Sequence, residues 1–148
     1  MLYIFLDIDG VLNKESDWGH LYSLDSKCIK EFARALEECK EKRIVLTSTW
    51  RHGFAYERKC EPYIENLKKA LEQYGLSIYA KTPIYPLGNR EDEIKQFIEN
   101  YEVENYVIID DDISLYHNIS ECFFLIDSRK GFSRKDGNDL KSWMKITL

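Results

Sequence analysis

Two carboxylates one residue apart, Asp7 and Asp9, close an apolar run in "IFLDIDGVLN", residues 4–13. In extended chain, residues two apart point to the same side. Two carboxylates so placed raise each other's pKa unless a cation lies between them. The pair therefore either caps a turn before Gly10, since Asp-Gly is a common turn signal, or works with a cation. Gly10 itself permits a positive φ or a close backbone approach. A second acidic group, Asp110, Asp111 and Asp112, ends the run "YVIIDDD". Three acids after a buried strand repel one another. They either cap the next turn or offer oxygen ligands to a hard cation such as Mg²⁺, which takes one or two carboxylates plus a substrate phosphate. Asp112 is expected to face solvent.

Hydroxyls and cations complete the set. In "RIVLTSTWR", Thr47 and Ser48 come after a third apolar run. Hydroxyls there can donate to a phosphoryl oxygen or cap the next helix. Arg51 can form a fork on phosphate or stand exposed. Arg90 opens a helix in "GNREDEI". It either holds an aspartate and a phosphate together or pairs on the surface with Glu91 or Glu93. Lys81 and Lys95 are rivals for the same role.

These groups need elements to position them. Leu2–Leu6 is short and continuously apolar, the mark of a strand buried on both faces. Ile29, Phe32, Ala33 and Leu36 recur at helical spacing, predicting an amphipathic helix from about Asp25 to near Lys42. Ile44–Leu46 is a second strand. Ile64, Leu67, Leu71 and Tyr74 predict a second helix, with Gly75 just past its end. "LSIYA" is a third strand, and Pro83, Pro86 and Gly88 make residues 81–89 a loop. Ile94, Phe97, Ile98 and Tyr101 predict a third helix, "YVIIDDD" a fourth strand and "FFLID" a fifth. A last helix carries Leu140, Trp143 and Met144 after Asp136 or Asn138. Strands alternating with helices mean an α/β domain with a mainly parallel five-stranded sheet flanked by helices. Ligands of such sheets bind outside the carboxyl ends of the strands. Asp7, Thr47 and Asp110 each end a predicted strand, so one sheet edge would gather them.

The chain has 148 residues, 44% hydrophobic and 32% charged, with a formal charge of -5. That suits one soluble globular domain over residues 1–148. It excludes a broad basic surface wrapping nucleic acid, though not a few basic residues around one phosphate. Cys28, Cys39, Cys60 and Cys122 form no CxxC, and His20, His52 and His117 miss zinc-ligand spacings, so reduced thiols are expected. No signal-peptide pattern or membrane-length apolar run is present. A soluble, cytoplasmic protein acting as a monomer, away from membranes, is expected.

The ordered set D-x-D-G, hydroxyl, cation and acids resembles the haloacid dehalogenase (HAD) superfamily over nearly the whole chain. "FLDIDGVLN", "IVLTSTWR", "NREDEI", "VIIDDD" and the trailing "IDSRKGFS" look most like the HAD domain of Swiss Army Knife RNA-repair proteins. The resemblance implies a Rossmann-like HAD fold and an Mg²⁺-dependent phosphatase. By similarity, Asp7 is the nucleophile and Asp9 the general acid and base. Thr47, with Ser48 beside it, binds a phosphoryl oxygen. Asp7, the Asp9 carbonyl, Asp110 and Asp111 hold Mg²⁺. Arg90 takes a place usually held by lysine, a departure that keeps charge but changes reach. Caps in this superfamily are inserted after the first motif or between the second and third. Here neither gap is long enough for one, which implies a capless, open site suited to a large phosphorylated substrate such as a nucleotide or polynucleotide end. Residues 14–23, with Trp18, His20 and Tyr22, would make a small flap whose aromatic rings either stack on a base or pack on the protein.

Two other classes use similar parts. A phospho-receiver signalling domain puts its acceptor aspartate after the third strand, where this chain has none. A catalytically idle HAD fold used for binding has no need of Asp7, Asp9, Thr47 and Asp110 together.

Overall fold

The computed structural model describes residues 1–86, 88–118 and 122–148. Five strands form one sheet: β1 (Leu2–Leu6), β2 (Lys42–Leu46), β3 (Ile78–Lys81), β4 (Asn105–Asp110) and β5 (Phe123–Leu125). Their spatial order is β3-β2-β1-β4-β5 and every pairing is parallel. Four helices connect or succeed them: α1 (Ser26–Leu36), α2 (Pro62–Glu72), α3 (Arg90–Asn100) and α4 (Arg134–Thr147). This is the expected Rossmann-like α/β fold. No helix among the described residues is long and apolar enough to cross a membrane.

The central strand explains the layering. All five residues of β1 are buried. Successive side chains alternate faces, so Leu2, Ile4 and Leu6 enter the core shared with Phe32, Leu36, Leu67 and Leu140, on the face of α1, α2 and α4. Tyr3 and Phe5 enter a smaller core with Ile94 and Phe97 of α3 on the other face. Burying each such side chain contributes about 2 kcal/mol, so β1 is the most firmly held platform for the residues just past its carboxyl end.

Element ends differ from expectation where caps decide them. α1 stops at Leu36, the last apolar residue of its stripe, because Lys42 is already needed opposite Leu2 in the sheet. β3 runs one residue further than "LSIYA", with Lys81 opposite Leu46. β5 ends at Leu125, since Lys130 and Gly131 donate back to the Asp127 carbonyl and turn the chain. α4 begins before Asp136: Ser133 caps the Asp136 N–H while the Asp136 carboxylate accepts from the Ser133 N–H. Gly75, at φ +73, closes the turn after α2 in the left-handed region. The segments after β1 and β2 contain short 3-10 turns (Glu15–Asp17 and Thr49–Gly53) and one helix each. Leu87, within the loop expected over residues 81–89, lies outside the described residues.

Candidate active site

The register of three strands sets the site. Leu6 pairs with Leu46 on one side and Ile109 on the other. The next residues are Asp7, Thr47 and Asp110. The Asp7 N–H donates to the Ile109 carbonyl at 3.0 Å, and the Thr47 N–H to the Leu6 carbonyl at 3.1 Å. All three are buried at the carboxyl edge of the sheet.

Asp7, Asp110 and Asp111 each offer a carboxylate oxygen within 4.8 Å of the others. Burial, then the Asp110 charge, pushes the Asp7 carboxyl well above its ordinary range, and Asp111 adds to the push. Burial likewise raises Asp111, to about 6. The cluster lacks positive charge. Arg90 supplies some: its NH1 lies 2.8 Å from Asp110 Oδ2 and 3.3 Å from Asp7 Oδ1. Burial alone would lower the Arg90 pKa, but the two carboxylates overcome it and hold the guanidinium charged. One nitrogen makes both contacts, so this arginine works as a point cation in the manner of a lysine ammonium. Among the three rivals, Arg90 is the one that reaches Asp7. Lys81 Nζ donates to the Phe54 and Arg51 carbonyls, and Lys95 bridges to Glu91.

The donor set fits a divalent cation that prefers oxygen ligands. Gly10 adds a steric sign of the same site. It sits at φ +82, and a Cβ there would collide with the Asp111 carboxylate. Asp110 is oriented further by Tyr116, whose hydroxyl donates to Oδ2 at 2.7 Å, and by the Asp112 N–H on Oδ1 at 3.1 Å. Asp112 is exposed, as expected, and caps the 3-10 turn Ile113–Leu115.

The Asp9 side chain stands apart from this cluster. β1 ends at Leu6, and the Val11 and Leu12 N–H groups turn back onto the Ile8 carbonyl. Asp7 and Asp9 are therefore not neighbours along a strand, and the carboxylates that crowd Asp7 are Asp110 and Asp111. Asp9 Oδ1 accepts from Asn13 Nδ2 at 2.9 Å and from Trp50 Nε1 at 3.1 Å. Asn13 Oδ1 in turn accepts from the Gly10 N–H and from Trp18 Nε1. Tyr22 stacks on Tyr63 at 3.7 Å and meets Trp50 edge-on. The flap is thus pinned to the protein by its own rings.

After β2, the hydroxyls divide their labour. Thr47 Oγ1 is buried with no hydrogen-bond partner in the structure. Leaving such a donor unmet costs about 1–3 kcal/mol, and the hydroxyl is free to donate to a ligand oxygen. Ser48 Oγ accepts from the Trp50 N–H, the capping alternative. Arg51 is not exposed, and both its terminal nitrogens are engaged inside the protein while Nε has no partner. Its NH1 donates to the Thr47 and Ser48 carbonyls and its NH2 to Glu93 Oε1, all within the protein and nearly fully buried. Burial pulls its pKa down while Glu93 pulls it up.

Glu91 and Glu93 are buried too, against the reading of a surface ion pair with Arg90. Glu91 Oε2 accepts from the His117 and Asn118 N–H groups, and Glu93 Oε2 from the Tyr85 N–H. Sequence reasoning missed Asn13, Trp50 and Tyr116, and put Glu91 and Glu93 on the surface. The asparagine four residues past Asp9 and the tryptophan inside "TSTWR" were available as signals, since each carries an N–H donor close to an acid or hydroxyl motif. Tyr116 had none.

No curated protein matches this chain. The model of the HAD domain in Swiss Army Knife RNA repair proteins matches residues 3–136. A three-carboxylate edge, its bridging cation and a match over most of the chain lead to one conclusion: the protein belongs to that family of HAD domains.

Proposed function

We propose that the protein is a metal-dependent phosphomonoesterase that works through an aspartyl-phosphate on Asp7. The observation that carries this reading is the buried Asp7, bridged by Arg90 to Asp110, with Thr47 and its unpartnered hydroxyl at the end of the neighbouring strand. Carboxylate nucleophiles split one difficult displacement into two easier ones. Asp7 attacks phosphorus and the ester oxygen leaves, taking a proton from Asp9. Asp9 then removes a proton from water, which displaces Asp7 and releases phosphate. Both donors on Asp9 land on Oδ1, so Oδ2 is the atom that carries the proton. Thr47 donates to a phosphoryl oxygen, and Arg90 holds the nucleophile oriented.

Asp7, Asp110 and Asp111, with the Asp9 carbonyl, would hold Mg²⁺, which shields negative charge as one anion approaches another. The short connections after β1 and β2 support a capless, open site in a single domain. With the RNA-repair context of the family, that favours a nucleotide or polynucleotide phosphate end as substrate. The test is phosphate release from an aryl phosphate and from 3′- and 5′-phosphorylated oligonucleotides, with Mg²⁺ or EDTA. Release that needs Mg²⁺ and disappears in Asp7→Asn is expected. Folded wild type that releases no phosphate from any of them would overturn the reading.

A further inference from the structure

We infer that Arg51 and Glu93 form a positioning brace, which locks the backbone beneath the Thr47 hydroxyl to the helix that carries Arg90. The inference rests on the phosphatase reading for its catalytic consequence, but the brace itself is a physical feature.

The Thr47 hydroxyl has no hydrogen-bond partner to hold it, so its place is set by its backbone and the packing around it. That backbone is held at both ends. Its N–H donates to the Leu6 carbonyl, and its carbonyl accepts from Arg51 NH1 at 2.8 Å. The same NH1 holds the Ser48 carbonyl at 3.1 Å. Arg51 NH2 then crosses to Glu93 Oε1 at 2.9 Å. Glu93 lies three residues after Arg90 in the first turn of α3, and its other oxygen holds the Tyr85 N–H at 3.0 Å. Lys81 fastens the Arg51 carbonyl from β3. Hydroxyl and cation, from segments about forty residues apart, are therefore tied through one ion pair.

Stability is a poor reason for that pair. Its side chains are 6% and 7% exposed, and buried ion pairs are often replaced by apolar residues of similar volume without loss. What apolar residues cannot supply is the set of directed bonds to two carbonyls and one amide. Oxyanion donors act only when placed where charge develops. A brace that sets one such donor relative to Arg90 does that. It also explains why "TSTWR" and "R-x-x-E" occur together in this chain: the arginine of one motif needs the glutamate of the other.

The test is the double variant Arg51→Met/Glu93→Met, which keeps volume and removes the bonds. The fold and the stabilisation by Mg²⁺ should survive, because Asp7, Asp110 and Asp111 are untouched. On an aryl phosphate, kcat should fall about 100-fold, the scale of one misplaced oxyanion donor, with KM changed much less. In a Thr47→Val background the same double change should cost little more, because the donor it positions is already gone. Additive losses in that background would overturn the proposal. A readout independent of turnover is amide hydrogen exchange: the variant should exchange faster at residues 47–51 and 90–94 together, with β1 and β4 unchanged. Exchange that stays at wild-type rates in either segment would overturn the brace. Wild type that released no phosphate would sink the phosphatase reading, while the exchange result would still decide the brace.

Discussion

Replacing Arg90 by methionine should expose how the site manages its charge. The side chain is 17% exposed and lies against Asp7 and Asp110, which are 6% and 0% exposed. Removing one member of a buried ion pair costs about 3–5 kcal/mol, because the partner is left uncompensated. Here one cation serves two acids, and a metal-free protein can relieve the strain by binding protons. The acids decide the sign. Asp7 already sits well above its ordinary pKa, and Arg90 is a charge that lowers it. Without Arg90 the folded-state pKa rises further. A raised carboxyl pKa costs nothing below the unfolded value, costs progressively more as pH climbs from the unfolded toward the folded value, and levels off above it. The deficit of Arg90→Met should therefore grow as pH rises, toward about 3 kcal/mol at the alkaline end, the cost of leaving a buried charge unpaired.

Thermal melts of metal-free protein across pH 5–8 make the measurement. For a domain of this size, about 3 kcal/mol corresponds to about 10 °C in Tm. Saturating Mg²⁺ at pH 8 should recover much of the loss, since it supplies the missing positive charge. Arg90→Lys should keep most of the stability and activity, because a single nitrogen of Arg90 makes both contacts. A deficit that is the same at pH 5 and pH 8, or a lysine variant as damaged as the methionine one, would refute this account of Arg90.

The same geometry has two further consequences. Mg²⁺ should stabilise the protein increasingly as pH rises from 5 to 7, because Asp111 titrates near 6 and its proton competes with the cation; a metal-induced Tm shift that is flat over that range would contradict the cluster. Gly10→Ala should lose about 1–3 kcal/mol through left-handed strain and also weaken Mg²⁺ binding, because the new methyl meets the Asp111 carboxylate. Calorimetric titration separates the two effects, and unchanged metal affinity would show that Asp111 is no ligand.

The parts of the site that could be read from sequence are those whose position is set by the strand ends. Asp7, Thr47 and Asp110 each close a buried strand, and a parallel sheet brings such residues to one edge whatever the helices do. What escaped reading was the inside of α3. "REDE" in the first turn of a helix looks like a solvated, acid-rich N-terminus, because periodicity counts charged residues as outward-facing. The chain instead buries Glu91 and Glu93. The reason lies outside that segment: the loops after β2, β3 and the Ile113–Leu115 turn present one guanidinium nitrogen and three backbone N–H groups that need acceptors, and Glu91 and Glu93 meet them from the opening turn of α3. The same blindness left Arg51 between a phosphate fork and an exposed position. Its neighbours in sequence are hydroxyls, while the carboxylate it meets is 42 residues away. Local pattern thus identifies the groups that can meet a substrate. The groups that hold them still are charged residues turned inward, and only the assembled edge reveals why they are charged.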